Sequence, residues 1–268
     1  MAYGAALIGA GPFAWSLLTA VKLNRDLYNP THNPLWFHDP PTLDHVRYLL
    51  RHTAFPTFAW NTTWTGALVV AATLLFAVPT GYALARLNRP WTASLGTAIF
   101  LVYLIPPSVL FLPLSEVVSR LGLQDSAWSL VLLYPAVTIP VSVWLLMGYF
   151  KAVPGQLEEQ ALVDGCSRLG AFRRVMLPMA IPGMVAVVVL AFILSASEYL
   201  YALAFVSPTA QKVVSTGVPT ELIRGDLFYW QSLQAAVVLV ALPIAVVFNH
   251  LLARFVVGFT AGTMGIGK

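Results

Sequence analysis

Apolar positions in this chain run on without interruption and do not alternate with polar ones at the period of a strand. Six stretches contain no Asp, Glu, Lys or Arg: Met1–Val21, Asn61–Ala85, Pro90–Ser115, Ser126–Phe150, Val175–Ser197 and Leu227–Ala253. Each is long enough for a helix to cross a hydrocarbon core, which takes about 20 residues. Lipid admits only helices and closed barrels, because backbone polar groups find no water there. Barrel strands would be about ten residues long and alternating. The pattern therefore predicts an all-α membrane protein with six transmembrane helices and both termini on one side. The first run has no Lys or Arg ahead of it and no small-x-small site before Lys22, so it reads as a retained helix rather than a cleaved signal.

Composition agrees. Of 268 residues, 58% are hydrophobic and only 10% charged, whereas a soluble domain carries about a quarter charged residues. Disorder needs the opposite balance. The net charge of +4 is assigned to basic residues anchoring helix ends at headgroups, and no nucleic-acid partner is read from it. Cys166, the single cysteine, excludes an internal disulfide.

With both termini inside, the inner segments hold Arg86, Arg89, Lys151, Arg168, Arg173, Arg174, Arg254 and Lys268. The outer ones hold Lys22, Arg25, Arg47, Arg51, Arg120, Lys212 and Arg224. Eight against seven decides nothing, but four of the outer seven lie in the long first loop, Lys22 to Pro56. Setting that loop aside leaves eight against three, which places the termini inside.

That loop is interrupted by Pro30, Pro34, Pro40 and Pro41, so a helix is expected only from Thr42, its N-cap, with Leu43, Val46 and Leu50 on one stripe. His45 and His52 stand seven apart on one face of it, a spacing compatible with metal ligation. A polar loop with an amphipathic surface helix explains them without a metal, and none is expected. Within the spans, Pro79, Pro106, Pro107, Pro113, Pro135, Pro140 and Pro243 each remove a backbone donor and kink or break a helix. A kinked bundle suits a transporter better than a rigid anchor.

The inner loop from Lys151 to Gly183 reads as a compact helix, turn and helix. Pro154 and Gly155 open the first helix, and Glu158 and Glu159 place negative charge in its first turn. Gly165 supplies a positive φ that stops it. Ser167 caps the second, with Leu169, Phe172 and Met176 as its stripe, and Pro178 and Pro182 mark the bend into the fifth span. A segment of this kind is a docking knob, against the plainer reading of an amphipathic stretch lying on the membrane.

Glu159-Gln160-Ala161, three residues, Gly165, nine residues, then Val175-Met176-Leu177-Pro178 resembles the EAA loop of permease subunits of binding-protein-dependent ABC importers. The family pattern is E-A-A, Gly and I-x-L-P at those spacings, and Gln160 and Val175 depart from it. Asn61-Thr62, Gly81-Tyr82-Ala83-Leu84-Ala85-Arg86 and the tail Phe255 to Gly262 are similar to the carbohydrate-uptake, MalG-type branch. Ser197-Glu198-Tyr199 resembles that branch's W-N-E-F segment, with Ala196 and Ser197 in place of Trp and Asn.

The resemblance implies a type-1 ABC importer permease bundle in a prokaryotic cytoplasmic membrane. Residues 1–56 would hold the first transmembrane helix and external loop. The transmembrane domain would span 57–258, with a coupling loop at 151–182, and a short cytoplasmic tail would follow at 259–268. It implies pairing with a second permease subunit, two ABC ATPase subunits and an extracytoplasmic substrate-binding protein, with a sugar or polyol as substrate. ATP would be bound by the partner subunits. The chain shows no G-x-x-x-x-G-K-[ST], Gly265-Ile266-Gly267-Lys268 having no Ser or Thr after it, so neither enzymatic activity nor a cofactor is expected of it.

The coupling residues implied are Glu158, Glu159, Ala161, Asp164, Gly165, Arg168, Leu177 and Pro178. Glu198, an acid at the end of an apolar run, is a candidate for the substrate path, with Asn61, Tyr199 and Tyr201; interface-belt aromatics are the competing explanation for the tyrosines. The Pro208–Trp230 loop, with Gly217, Pro219 and Gly225, would face the binding protein. The alternative class is a self-contained secondary transporter or channel, which would show ion-coupling acids and repeat halves. Glu198 is the one acid near membrane depth, and no repeat is evident.

Overall fold

In the computed structural model the chain is helical almost throughout. The structure describes residues 2–87, 90–224 and 227–264. Of the residues used above, Arg89, Gly225 and the terminal 265–268 lie outside them. The helices are α1 (Ala2–Ala20), α2 (Asn24–Leu27), α3 (Asp44–His52), α4 (Phe55–Arg86), α5 (Pro90–Tyr103), α6 (Pro107–Arg120), α7 (Trp128–Leu133) and α8 (Pro135–Ala152). There follow α9 (Gly155–Val163), α10 (Arg168–Ala171), a π-turn (Phe172–Met176), α11 (Leu177–Met179), α12 (Ile181–Ser197), α13 (Leu200–Phe205), a 3-10 turn (Thr209–Gln211), α14 (Val214–Leu222) and α15 (Trp230–Met264). A two-residue antiparallel pair, Ile223–Arg224 with Leu227–Phe228, stands between the last two.

Among the described residues, Phe55–Arg86, Trp128–Ala152 and Trp230–His250 are long and apolar enough to cross a membrane, and two bent pairs raise the number to five if each is one span. The expected third span is thus not one helix: α5 and α6 meet at 88°. The cause is the double proline. Pro106 takes ψ 135°, the extended conformation imposed on a residue preceding proline, and Pro107 has no N–H to continue the ladder. By contrast Pro79, Pro113, Pro140 and Pro243 sit inside continuous helices.

Other boundaries shift for similarly local reasons. α4 begins at Phe55, not Asn61, because Pro56 in a first turn forfeits no hydrogen bond. The fifth apolar run is divided by a 69° bend before Ile181. The sixth helix starts at Trp230, since Leu227 and Phe228 pair as a strand. In α3 the buried face is Val46 and Leu49, while Leu43 and Leu50 are exposed. The helix starts one residue later than expected, with Leu43 rather than Thr42 at its N-cap, and Thr42 Oγ1 accepts from the Asp44 amide ahead of it. Leu43 is thereby left outside the helix and off its packed face.

The chain packs as two units. One comprises 1–62 and 207–248, the other 63–206 and 249–268. In the first, Ala20, Leu49, Phe55, Phe58, Val218, Leu222, Ala235 and Ala236 form the core. Asn61 Nδ2 donates to the carbonyls of Ala210 and Lys212, and Thr62 Oγ1 accepts from the Val214 amide. These bonds fix the 207–214 segment.

The loop after α1 is built around a buried acid. Asp26 Oδ1 lies 3.0 Å from His32 Nδ1 and 3.2 Å from His38 Nδ1, and Oδ2 accepts from the His38 amide at 3.2 Å. Lys22, expected at the headgroups, is instead fully buried, 3.7 Å from Asp26 and donating to the Trp36 carbonyl. Its charge is balanced there by the equally buried Asp26 carboxylate.

In the second unit, Ala77, Val78, Leu84, Val143, Leu146, Phe150, Met176 and Val187 make the core. α4 and α8 approach closely at Gly81, where a Cβ would stand 2.9 Å from the Leu146 Cβ and 3.1 Å from the Met147 amide nitrogen. Small residues permit such backbone contact in membranes.

Burial alone would raise the Asp26 pKa. Bonds from His32 and the His38 amide and the Lys22 charge outweigh it, holding the carboxyl at about 2 against an ordinary 3.8. A lowered pKa adds stability above about pH 4 that is lost as pH falls through 2. Pepsin cleavage within 28–43 of the detergent-solubilised protein should therefore rise steeply below pH 3. Asp26→Asn should be cleaved readily at pH 4, where the wild type resists.

Candidate functional site: the loop after α8 and the acidic end of α12

The loop following α8 is shaped by contiguous residues. Val153 and Pro154 are extended and α9 begins at Gly155. It stops in a Schellman arrangement: the Gly165 amide donates to Leu162, the Cys166 amide to Ala161, and Gly165 takes φ +88°. Ser167 Oγ then accepts from the Gly170 amide at 3.1 Å and caps α10. The turn and cap follow the sequence expectation.

The second helix is not regular. Phe172–Met176 form a π-turn, with the Leu177 amide donating to Phe172. Pro178 has no amide to give Arg174, so a wider turn there forfeits nothing. Of the stripe expected on it, Met176 is buried and Phe172 packs on the core, whereas Leu169 is exposed. Leu169 is joined on the surface by Val163 at 87% exposure, and Glu159, Asp164 and Arg168 are exposed too. Ala161 is buried, and Leu177 packs against the core next to Pro178.

Glu158 and Glu159 separate. Glu158 Oε1 accepts from Tyr82 Oη and Oε2 pairs with Arg86 Nε at 3.3 Å, both from the end of α4. Glu159 points outward. A cavity of about 560 Å³ lies alongside, lined by Tyr82, Arg86, Glu158, Glu159, Leu162 and Arg168 among others. Sequence reasoning placed Tyr82 and Arg86 only as the close of a span. The one signal available was their i, i+4 spacing on a helix.

The second acidic position is Glu198, between α12 and α13. Its carboxylate accepts from the amides of Tyr201 and Ala202 at 3.0–3.2 Å, capping α13. It lines a cavity of about 480 Å³ with Tyr103, Pro106, Tyr134, Thr138 and Ser195. Tyr201 is fully buried and its hydroxyl donates to the Pro107 carbonyl, while Tyr199 is half exposed. Asn61 belongs to the other unit.

His45 and His52, spaced compatibly with metal ligation, do not converge. His45 Nε2 meets the Lys22 carbonyl and His52 stacks on Tyr48. Asp26, His32 and His38 do cluster, with ligand atoms within 4.8 Å of one another. Their hydrogen bonds are already directed. Asn29 Oδ1 is taken by Thr31, so Nδ2 donates to His32 Nε2, and the His32 proton sits on Nδ1 toward Asp26. With Lys22 supplying a positive charge beside the carboxylate, the arrangement suits a structural knot better than a divalent cation.

Residues 77–258 match the family described as binding-protein-dependent transport system inner membrane component. The chain belongs to that family. It is 34% identical to the sulfoquinovosyl glycerol transport system permease protein SmoH of Agrobacterium fabrum, covering 95% of this chain and 88% of that one. The diacetylchitobiose uptake system permease protein DasC of Streptomyces coelicolor is 30% identical, over 94% and 91%. The trehalose/maltose transport system permease protein MalG of Thermococcus litoralis is 27% identical, over 97% and 92%. The fold is similar to a chain of a bacterial ABC transporter involved in import of the acidic polysaccharide alginate. The TM-score there is 0.74 at 17% identity, covering 93% and 92% of the two chains.

Because an L-residue in the left-handed region costs about 1–2 kcal/mol, Gly165→Val should weaken the turn by about that much. Gly165→Asn should cost less. Hydrogen exchange at the Gly165 and Cys166 amide positions, which close the turn, reads the difference directly.

Proposed function

We propose that this permease forms half of the translocation pore of an ATP-driven importer for a sugar or related polyol, through six spans with α1 as the first. Both termini are cytoplasmic. A second permease completes the pore, and an extracytoplasmic binding protein delivers the solute. The α9–α10 loop seats on one of two ABC ATPase subunits, which bind and hydrolyse the ATP. The observation that carries this reading is the capped helix, turn and helix at Gly155–Ala171, held to a rigid base yet presenting Glu159, Val163 and Leu169 outward. Exposed large apolar residues beside charge on a fixed scaffold suit a protein partner. The relatives' solutes support the carbohydrate class.

In this reading ATP binding draws the ATPases together, and the loop passes on their preference for one permease state. Only such a differential preference can do work on the pore. The cavity at Glu198 supplies carboxylate and hydroxyl groups of the kind that bind sugar hydroxyls, and Glu198, Tyr199, Tyr201 and Asn61 are the substrate-path residues proposed. The Pro208–Trp230 loop, whose first residues are pinned by Asn61 and Thr62, faces the binding protein.

Purification from the native membrane in gentle detergent should recover an ATP-hydrolysing subunit and a second multi-span protein with this chain. Recovery of the chain alone, stable and without ATPase activity, overturns the proposal. Cys166, partly exposed in the loop turn, should react with a membrane-impermeant maleimide only from the inner side. Labelling in sealed right-side-out vesicles would reverse the topology.

A further inference from the structure

The inner end of α4 does more than neighbour the loop. Tyr82 and Arg86 are one helical turn apart on one face; Tyr82 Oη donates to Oε1 of Glu158, and Arg86 Nε stands 3.3 Å from Oε2 as an ion pair without hydrogen-bond geometry. The Arg86 guanidinium also donates through Nη2 to the Val153 carbonyl at 2.7 Å and approaches Met176 Sδ at 3.7 Å. One side chain on α4 thus touches the residue leading into the loop, the first turn of its helix, and the π-turn leading out.

The Tyr82 ring lies 4.5 Å from that of Phe172 and 5.5 Å from that of Phe150, so the same face is wedged sterically as well. The Arg86 and Glu158 side chains are only 18% and 14% exposed. Losing either leaves the other charge poorly solvated. The ion pair is therefore less screened than one on the surface, and the Tyr82 hydrogen bond and the Arg86 bond to the Val153 carbonyl give it its geometry.

We propose that Tyr82 and Arg86 are positioning residues that latch the loop to α4 through Glu158, so that the loop and the inner end of α4 move as one body. On this proposal, which rests on the coupling role given to the loop above, displacement by the ATPase reaches the pore through α4. It does not pass only along the chain into α8 and α12. Neighbouring acids divide the work, Glu158 facing inward to the latch and Glu159 outward to the partner.

The test uses the assembled importer in liposomes, with its ATPases and binding protein. Spin labels are placed at the native Cys166 and at Leu87→Cys, an exposed position whose amide continues the α4 hydrogen bonds. Pulsed electron paramagnetic resonance should give one narrow distance, unchanged between the nucleotide-free and ATP-trapped states. Arg86→Gln should broaden it and lower solute imported per ATP hydrolysed on the order of tenfold.

The charge exchange of Arg86→Glu with Glu158→Arg should restore both readouts better than either single change. Tyr82→Phe, which keeps the ring and removes only the hydroxyl, gives the same test where Arg86→Gln does not assemble. A wild-type distance that shifts between the two states overturns the latch. So does an import ratio unaffected by Arg86→Gln or, where that variant does not assemble, by Tyr82→Phe. Failure of the unsubstituted chain to bind ATPase subunits would instead overturn the coupling role itself, and copurification tells the two failures apart.

Discussion

Inside a hydrocarbon layer every backbone N–H and C=O must find its partner within the protein, and this constraint governs the structure. Where the chain obeys it simply, the result is a long apolar helix such as Phe55–Arg86. The informative places are where proline removes a donor or a helix stops short. At Pro106–Pro107 the chain turns through 88°, and the buried Tyr201 hydroxyl donates to the Pro107 carbonyl. Glu198 serves the same end with a charge, accepting the first amides of α13. A cavity opens between these two breaks. Its polar lining, Glu198 included, therefore originates in part from interrupted backbone.

The loop between α8 and α12 follows the same logic outside the apolar run. Pro178 makes a regular turn unprofitable, and the π-turn before it sets Met176 into the core and Phe172 against Tyr82. The turn at Gly165 closes α9 and Ser167 opens α10 within three residues. The result is a rigid projection whose outward face carries side chains that its own unit does not cover. Rigidity matters to the proposed role, because a flexible segment would absorb displacement rather than transmit it.

Charge burial is the second organising term. The chain has few charged residues to spend, and it sequesters two cations against two acids, Lys22 with Asp26 and Arg86 with Glu158. Such pairs add little net stability, but separating them is costly, so they fix geometry. The first holds the loop between α1 and α3 in shape, with His32 and His38 completing the shell of Asp26. The second ties the loop after α8 to α4.

What the sequence determined by itself was whatever depends on neighbouring residues. The apolar runs, the glycine turn, the Ser167 cap and the EAA spacing are read within windows of one helix, because backbone conformation answers to local chemistry. Boundaries moved by several residues where Pro56 or Pro106 altered which hydrogen bonds a helix could forgo. The packed face of α3 differs from the expected stripe because the helix begins only at Asp44, which leaves Leu43 outside it. Only the tertiary structure decided which of two adjacent acids turns inward, since Tyr82 reaches Glu158 across 76 positions. It alone could gather Lys22, His32 and His38 around Asp26. Burial makes each of those polar groups need a partner, and the fold, bringing distant segments together, supplies it.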